Sequence, residues 1–136
     1  MKQLDHIAIA VWSIEESLRY YTEQLNLTLI HDELLPSAGV RLAYLDAGNT
    51  MIQLVQPIGE TPIRQYLEEK GEGLHHLCFG VNHIPSVLER LDGEQQTKVV
   101  LGGRSRRACF LKGKPNGYVV ELTEFEPVPD AQESSS

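Results

Sequence analysis

Four residues of this chain have the types and spacing to hold one cation between them. His6 stands in the run LDHIAIAV and His76 in LHHLCFGV, apolar stretches that begin seventy residues apart, at Leu4 and Leu74. Gln53 sits in MIQLV and Glu121 in VVELT, each a single polar side chain in an otherwise apolar run. A polar group so placed either faces water or has a buried partner, because burying it alone is costly. The separations nearly match, 47 residues from His6 to Gln53 and 45 from His76 to Glu121. Two imidazoles, a carboxylate and an amide oxygen form a mixed nitrogen and oxygen set that suits one borderline divalent ion, with Co, Mn, Ni, Zn and Fe all compatible. Such a set leaves two positions of an octahedron open, as a catalytic site requires.

Taken singly, each residue has a plainer reading. A strand histidine is usually just hydrogen-bonded, and a lone Gln or Glu on an antiparallel strand usually faces solvent. The repeat is what raises the metal reading. At an offset of seventy, Leu4, His6, Val11, Ile14 and Leu18 meet Leu74, His76, Val81, Ile84 and Leu88, five identities in fifteen positions. Equivalent positions in two equivalent modules can converge on one pseudo-twofold axis. The same alignment pairs His6 with His76 and sets His75 opposite Asp5, which strand alternation places on the other face. His31 and His83 have no repeat partner and read as surface residues.

The elements that must position these side chains repeat as well. Ser13 with Glu16 is a capping box, opening a helix that carries Ile14, Leu18, Tyr21 and Leu25 on one face. In the second half Pro85 suits a first helical turn, and Ile84, Leu88 and Leu91 follow at the same spacing. Three strand-like runs follow each helix: LTLIHDELL, VRLAYLDA and TMIQLVQ, then TKVVL, SRRACFLK and GYVVELTE. Breaks fall at PSAG, GN, GGR and GKPNG. PIGETPIRQYLEEKGEG joins the halves and predicts a short helix around Ile63–Lys70. The reading is an α+β fold of two tandem βαβββ modules, forming a curved mixed sheet around a metal-binding cleft. One domain spans 1–126, with module one at 3–57, a linker at 58–72 and module two at 73–126; residues 127–136 read as a disordered tail.

Alternation puts His6 on a face with Leu4, Ala8 and Ala10, and His76 on a face with Leu74, Cys78 and Gly80. Ile7, Ile9 and Val11, like Leu77, Phe79 and Val81, then face the helices. Small residues beside a histidine leave a hollow, where a plain core would be filled by Leu, Ile or Phe. Cys78 would line that hollow as a small filler.

Bulk properties bound the alternatives. A chain of 136 residues with 41% hydrophobic and 23% charged content is a soluble globular domain. Two cysteines are too few for a disulfide framework and point to a reducing cytoplasm. The opening MKQLDH lacks the apolar stretch of a signal peptide, and no segment is long enough to span a bilayer. A net charge of −7 argues against nucleic acid. Six of the twelve basic residues, Lys98, Arg104, Arg106, Arg107, Lys112 and Lys114, fall in one stretch with no acid among them. That patch either meets an anionic ligand or is a solvated strand pair whose charges discourage edge pairing.

The runs LDHIAIAV, GVRLAYLDAGNTMIQLVQP and PIRQYLEEKGEGLHHLCFGV, with the ending through GG, FL and GYVVELTE, resemble the vicinal oxygen chelate superfamily of glyoxalase and bleomycin resistance proteins. Within it, GEGLHH and the Gln favour the methylmalonyl-CoA epimerases. The resemblance implies that His6, Gln53, His76 and Glu121 are the metal positions and that the substrate is a small molecule, an anionic acyl-CoA. It also implies a homodimer. In the implied reaction one divalent ion chelates two oxygens of a substrate such as methylmalonyl-CoA. The α-proton leaves to give an enolate, and reprotonation on the opposite face inverts the centre, which needs an acid–base group on each side. Glu121 would be the catalytic base on one side, and Arg104, Arg106, Arg107 and Lys112 are candidates for the CoA phosphates. The chain departs from some epimerases, which carry a second carboxylate on the strand after GV. Here that strand reads Val40, Arg41, Leu42, Ala43, with no acid before Asp46, so the second proton carrier is unassigned. The alternatives are a glyoxalase I-like lyase acting on a thiol adduct and a non-catalytic small-molecule binding or resistance protein of the same fold. The four-ligand set counts against the latter. Extradiol dioxygenases of the superfamily use three ligands on iron, and a fourth would block the oxygen site.

Overall fold

The structure is a computed structural model that describes residues 3–129. Strand β1 (Gln3–Ala10) leads into α1 (Ile14–Leu18), whose N-cap Ser13 accepts a hydrogen bond from the Glu16 amide, as the sequence signature predicts. The helix then changes pitch. From Arg19 to Gln24 it is π-helical, and the Leu25 amide bonds back to the Tyr20 carbonyl. The spacing that put Leu25 on the apolar face assumes 3.6 residues per turn; the wider i→i+5 turn rotates it away. Leu25 is 48% exposed, whereas Ile14 is fully buried, with Leu18 and Tyr21 packed beside it.

Strands β2 (Thr28–Leu35), β3 (Val40–Asp46) and β4 (Met51–Pro57) complete the first half. Helix α2 (Pro62–Lys70), capped by Thr61 with proline in its first turn, joins it to the second half. There β5 (Gly73–Val81) and α3 (Ile84–Arg90) precede β6 (Val100–Leu101), β7 (Arg107–Phe110) and β8 (Val119–Glu124). The strand predicted from TKVVL keeps only its last two residues. Before it the chain is held in turns, because Gln95 caps the Leu88 and Leu91 carbonyls and Thr97 bonds Glu94.

All eight strands form one sheet in the order β2-β3-β4-β1-β5-β8-β7-β6. The order is symmetric about the antiparallel β1–β5 pair: β4 runs parallel to β1, and β8 parallel to β5. The sheet is mixed and curls into a half-barrel, so that its outer strands approach; Glu33 on β2 accepts from the Arg104 amide, beyond β6. Helices α1 and α3 pack on the convex face. Beneath α1 lie Val11, Ala43, Leu45 and Leu54, and beneath α3 lie Val81, Cys109 and Leu122. On the concave face α2 inserts Ile63 and Leu67 against Ala8, Ala10, Val40, Leu42 and Val55. No helix among the described residues is long and apolar enough to cross a membrane. Past β8 the Val128 amide donates to the Ser105 carbonyl; the rest of the segment read as a tail, 130–136, lies outside the described residues.

One turn fixes the closed end of the concave face. Gly39 has φ +67°, and a Cβ there would lie 2.5 Å from Cγ2 of Thr61, the cap of α2. Its carbonyl also accepts the Ile58 amide. Gly39→Ala is therefore expected to cost about 1–3 kcal/mol. In urea unfolding the midpoint should fall while the slope, set by the surface exposed, stays unchanged.

Candidate functional site

The register of the central strands brings the four polar residues together. Ala8 on β1 pairs with Gln53 on β4 and with His76 on β5; Cys78 on β5 pairs with His6 on β1 and with Glu121 on β8. Two rows thus cross the sheet, Gln53–Ala8–His76 and His6–Cys78–Glu121. The pseudo-twofold exchanges them, carrying Ala8 onto Cys78. A small side chain in the middle of each row lets the two polar ones lean inward above it. That is what the small residues do. The hollow expected around Ala8 and Ala10 is closed by α2, and Cys78, fully buried, fills its row rather than lining a cavity. Burial pushes its thiol far above the ordinary range.

Gln53, His6 and His76 are at most 5% exposed. His6 Nε2 lies 3.3 Å and His76 Nε2 3.1 Å from Glu121 Oε1, and the three ligand atoms all fall within 4.8 Å of one another. Neither contact has hydrogen-bond geometry. His6 Nε2, His76 Nε2, Gln53 Oε1 and Glu121 Oε1 are all buried without a hydrogen-bond partner. Buried polar atoms are nearly always bonded, so four lone-pair donors left unpaired around one cavity require an explanation. Donors ~2.1 Å from a common ion and at right angles would stand ~3 Å apart, which is the spacing between Glu121 and each imidazole. The residues fit a divalent cation.

Their electrostatics agree. Burial alone would raise the Glu121 carboxyl, but the close His6 and His76 imidazoles outweigh it and hold the group well below the usual carboxylate range. Gln53 is oriented by Tyr44, whose hydroxyl accepts from Nε2 at 2.8 Å, turning Oε1 inward. Burial raises the Tyr44 phenol to about 12, and the Arg104 guanidinium lies 4.6 Å above its ring. Gly103 permits this approach, since a Cβ there would strike the Tyr44 hydroxyl.

These groups form the polar floor of a cavity of about 360 Å³. Its walls are apolar, with Leu35, Val40, Leu42 and Val55 from the first half and Leu101 and Phe110 from the second. Of the cationic candidates, Arg104 lines the cavity, with its charge bonded to Asp5. Arg106 lies behind it, 3.7 Å from the same carboxylate. Arg107 and Lys112 do not line the cavity; Arg107 faces Glu124 at 3.6 Å, and Lys112 is exposed.

Sequence reasoning misplaced one residue and overlooked two. His75 lies in the cavity wall, on the same side as His76, and its Nδ1 is 2.7 Å from His76 Nδ1. Burial and the neighbouring imidazole push its pKa down to about 4. The cause is a break in register at His75, which strict alternation does not allow for. That break leaves Leu74 49% exposed, and the same kind of break at Asp5 leaves Leu4 37% exposed, instead of on the histidine face. Asp5 and Tyr44 carried no signal of their own, except that Asp5 and His75 share the offset of seventy. His31 is half-exposed beside Glu33, and His83 bonds Ser86 at the surface.

Comparison with known proteins agrees with this geometry. The sequence profile of the Glyoxalase/Bleomycin resistance protein/Dioxygenase superfamily matches residues 5–110. YqjC of Bacillus subtilis (strain 168), an uncharacterized protein, is 33% identical over 91% of this chain and 93% of its own length. The ethylmalonyl-CoA/methylmalonyl-CoA epimerase of Cereibacter sphaeroides is 32% identical over 90% of this chain and 97% of its own length. The crystal structure of methylmalonyl-CoA epimerase from Mycobacterium tuberculosis matches with a TM-score of 0.82 at 28% identity, covering 98% of this chain and 92% of that one.

Removing the Tyr44 hydroxyl tests the support under Gln53. Tyr44→Phe leaves a buried amide donor unpaired, at a cost of about 1–3 kcal/mol. The metal-free protein should then melt roughly 3–10 °C lower by calorimetry, and an unchanged Tm would show that the bond positions nothing.

Proposed function

Because this chain belongs to the glyoxalase/bleomycin resistance protein/dioxygenase superfamily, we propose that it is a metal-dependent isomerase of the epimerase type. Its substrate would be an acyl-CoA thioester with an acidic α-proton, methylmalonyl-CoA being the first to try. The observation that carries the reading is the group of four buried, unpartnered donors at the floor of an apolar cavity. The Cereibacter relative, similar over nearly its whole length, supports the substrate class.

His6, Gln53, His76 and Glu121 would hold one divalent ion, with Co, Mn, Ni, Zn and Fe all admissible. When bound, the ion supplies Lewis-acid stabilisation of the charge that develops on the substrate oxygens, worth several kcal/mol. The chain does the rest. Leu35, Val40, Leu42 and Val55 exclude water, so the charges inside act at low dielectric. Glu121, ionised across the neutral range, takes the α-proton on its side. Two buried free cysteines suit a reducing cytoplasm.

One observation favours a second reading. Among the described residues Glu121 is the only carboxylate lining the cavity, and the first-half wall of Val40, Leu42 and Val55 offers no acid. A glyoxalase I-like isomerisation of a thiol adduct needs proton transfer on one face only, and Glu121 alone could serve it. The complete donor set weighs against a non-catalytic binder.

The experiment follows both proton and metal. The reconstituted protein should bind one equivalent of cation per chain, and Glu121→Ala should lose both binding and turnover. In heavy water the α-proton signal of methylmalonyl-CoA should disappear from the NMR spectrum as both epimers accumulate. No exchange with any of the five ions, alongside turnover of a hemithioacetal, would replace the epimerase reading with the second.

A further inference from the structure

Neighbouring residues on a regular strand point to opposite faces, so the side chains of i and i+1 do not share a hydrogen bond. Here two such pairs do. Asp5 Oδ2 lies 2.7 Å from His6 Nδ1, and His75 Nδ1 lies 2.7 Å from His76 Nδ1. The register between β1 and β5 explains both. Leu4 pairs with Phe79 and His6 with Cys78, which makes Asp5 an extra residue on β1; Ala8 pairs with His76 and Ile9 with Leu74, which makes His75 an extra residue on β5. Each is a β-bulge, a device that re-aims a side chain. The two bulges are separated by the repeat offset of seventy. Each immediately precedes a histidine whose Nε2 is buried and unpartnered.

We propose that Asp5 and His75 are paired positioning residues for the cation, each placed by its bulge to accept the Nδ1–H of the following histidine. Accepting that proton fixes the tautomer that leaves the Nε2 lone pair free, aimed at Glu121. The proposal rests on the cation reading above and adds the means by which both imidazoles are held for it. A bulge needed only to bend the sheet requires no polar side chain, and still less one in contact with the next residue in both halves.

The two acceptors differ in kind. Asp5 is a carboxylate bonded to Arg104, so His6 has an anionic acceptor, which raises the basicity of a ligand imidazole. His75 is an imidazole rather than a carboxylate, so His76 meets a ring nitrogen, at 2.7 Å. The first-half support also extends further. Arg104 lies over the Tyr44 ring, and the Tyr44 hydroxyl accepts from Gln53. One run of contacts therefore orients both ligands that the first half contributes.

Two measurements test this, neither of them activity. In the metal-free protein, long-range ¹H–¹⁵N spectra should show His6 and His76 as Nδ1–H tautomers, and Asp5→Ala or His75→Ala should release only the adjacent ring. In Co(II) titrations against a competing chelator, each Ala variant should bind about tenfold to a hundredfold more weakly, with an altered visible spectrum. Asp5→Asn and His75→Gln, which keep an acceptor oxygen, should recover most of that loss. Ala variants with parental affinity and spectrum would overturn the positioning role alone. So would an affinity loss that tracks a fall in the metal-free Tm and is not rescued by Asn or Gln. A parent protein that takes up no Co(II) would instead remove the cation reading itself.

Discussion

Everything at the site depends on the pairing of β1 with β5. These antiparallel strands lie at the centre of the sheet and on the pseudo-twofold, so their register fixes how one half addresses the other. A slip of one residue would turn every side chain of a strand to the opposite face. It would put His6 against the helices and Ile7 in the cavity. The apolar residues that pack under α1 and α3 therefore do more than stabilise the fold. By insisting on which face of each strand is buried, they hold the histidines to the concave side.

The energetics show why such a cluster needs a purpose. Each buried polar atom without a partner costs about 1–3 kcal/mol, and four of them amount to something on the order of the whole folding margin of an ordinary domain. A sequence selected for stability alone would fill these rows as it fills the rest of the concave face, with Leu, Val and Ala. Instead the surroundings are arranged to keep the four atoms unpaired. Tyr44 occupies the amide donor of Gln53, and the bulged neighbours occupy the Nδ1 atoms of both rings. The atoms left over are those that point at one another.

Much of this was legible in the sequence because duplication writes everything twice. The offset of seventy carried His6 onto His76, and the isolated polar residues in MIQLV and VVELT marked Gln53 and Glu121. The capping signature at Ser13 and the breaks at PSAG and GKPNG marked the elements. What stayed hidden was deviation from ideal period. Neither a β-bulge nor a π-turn has a pattern of its own, so Asp5, His75 and Leu25 were placed by strict 2.0 and 3.6 repeats that the chain does not keep there. Tyr44 was hidden for another reason: its ring belongs to the core and only its hydroxyl to the site.

The symmetry of the ligands is not shared by the walls. Over the first half α2 closes the concave face, and Val40, Leu42 and Val55 are buried beneath it. Among the described residues the second half has no counterpart helix, because the linker occurs once. There Val100, Leu101 and Phe110 line the same cavity while standing half-exposed. The cavity therefore has a closed apolar end and an open apolar lip, with the polar floor between them. The basic stretch from Arg104 onward begins at that lip. Duplication thus made a symmetric set of donors, and the single linker helix gave the site its direction.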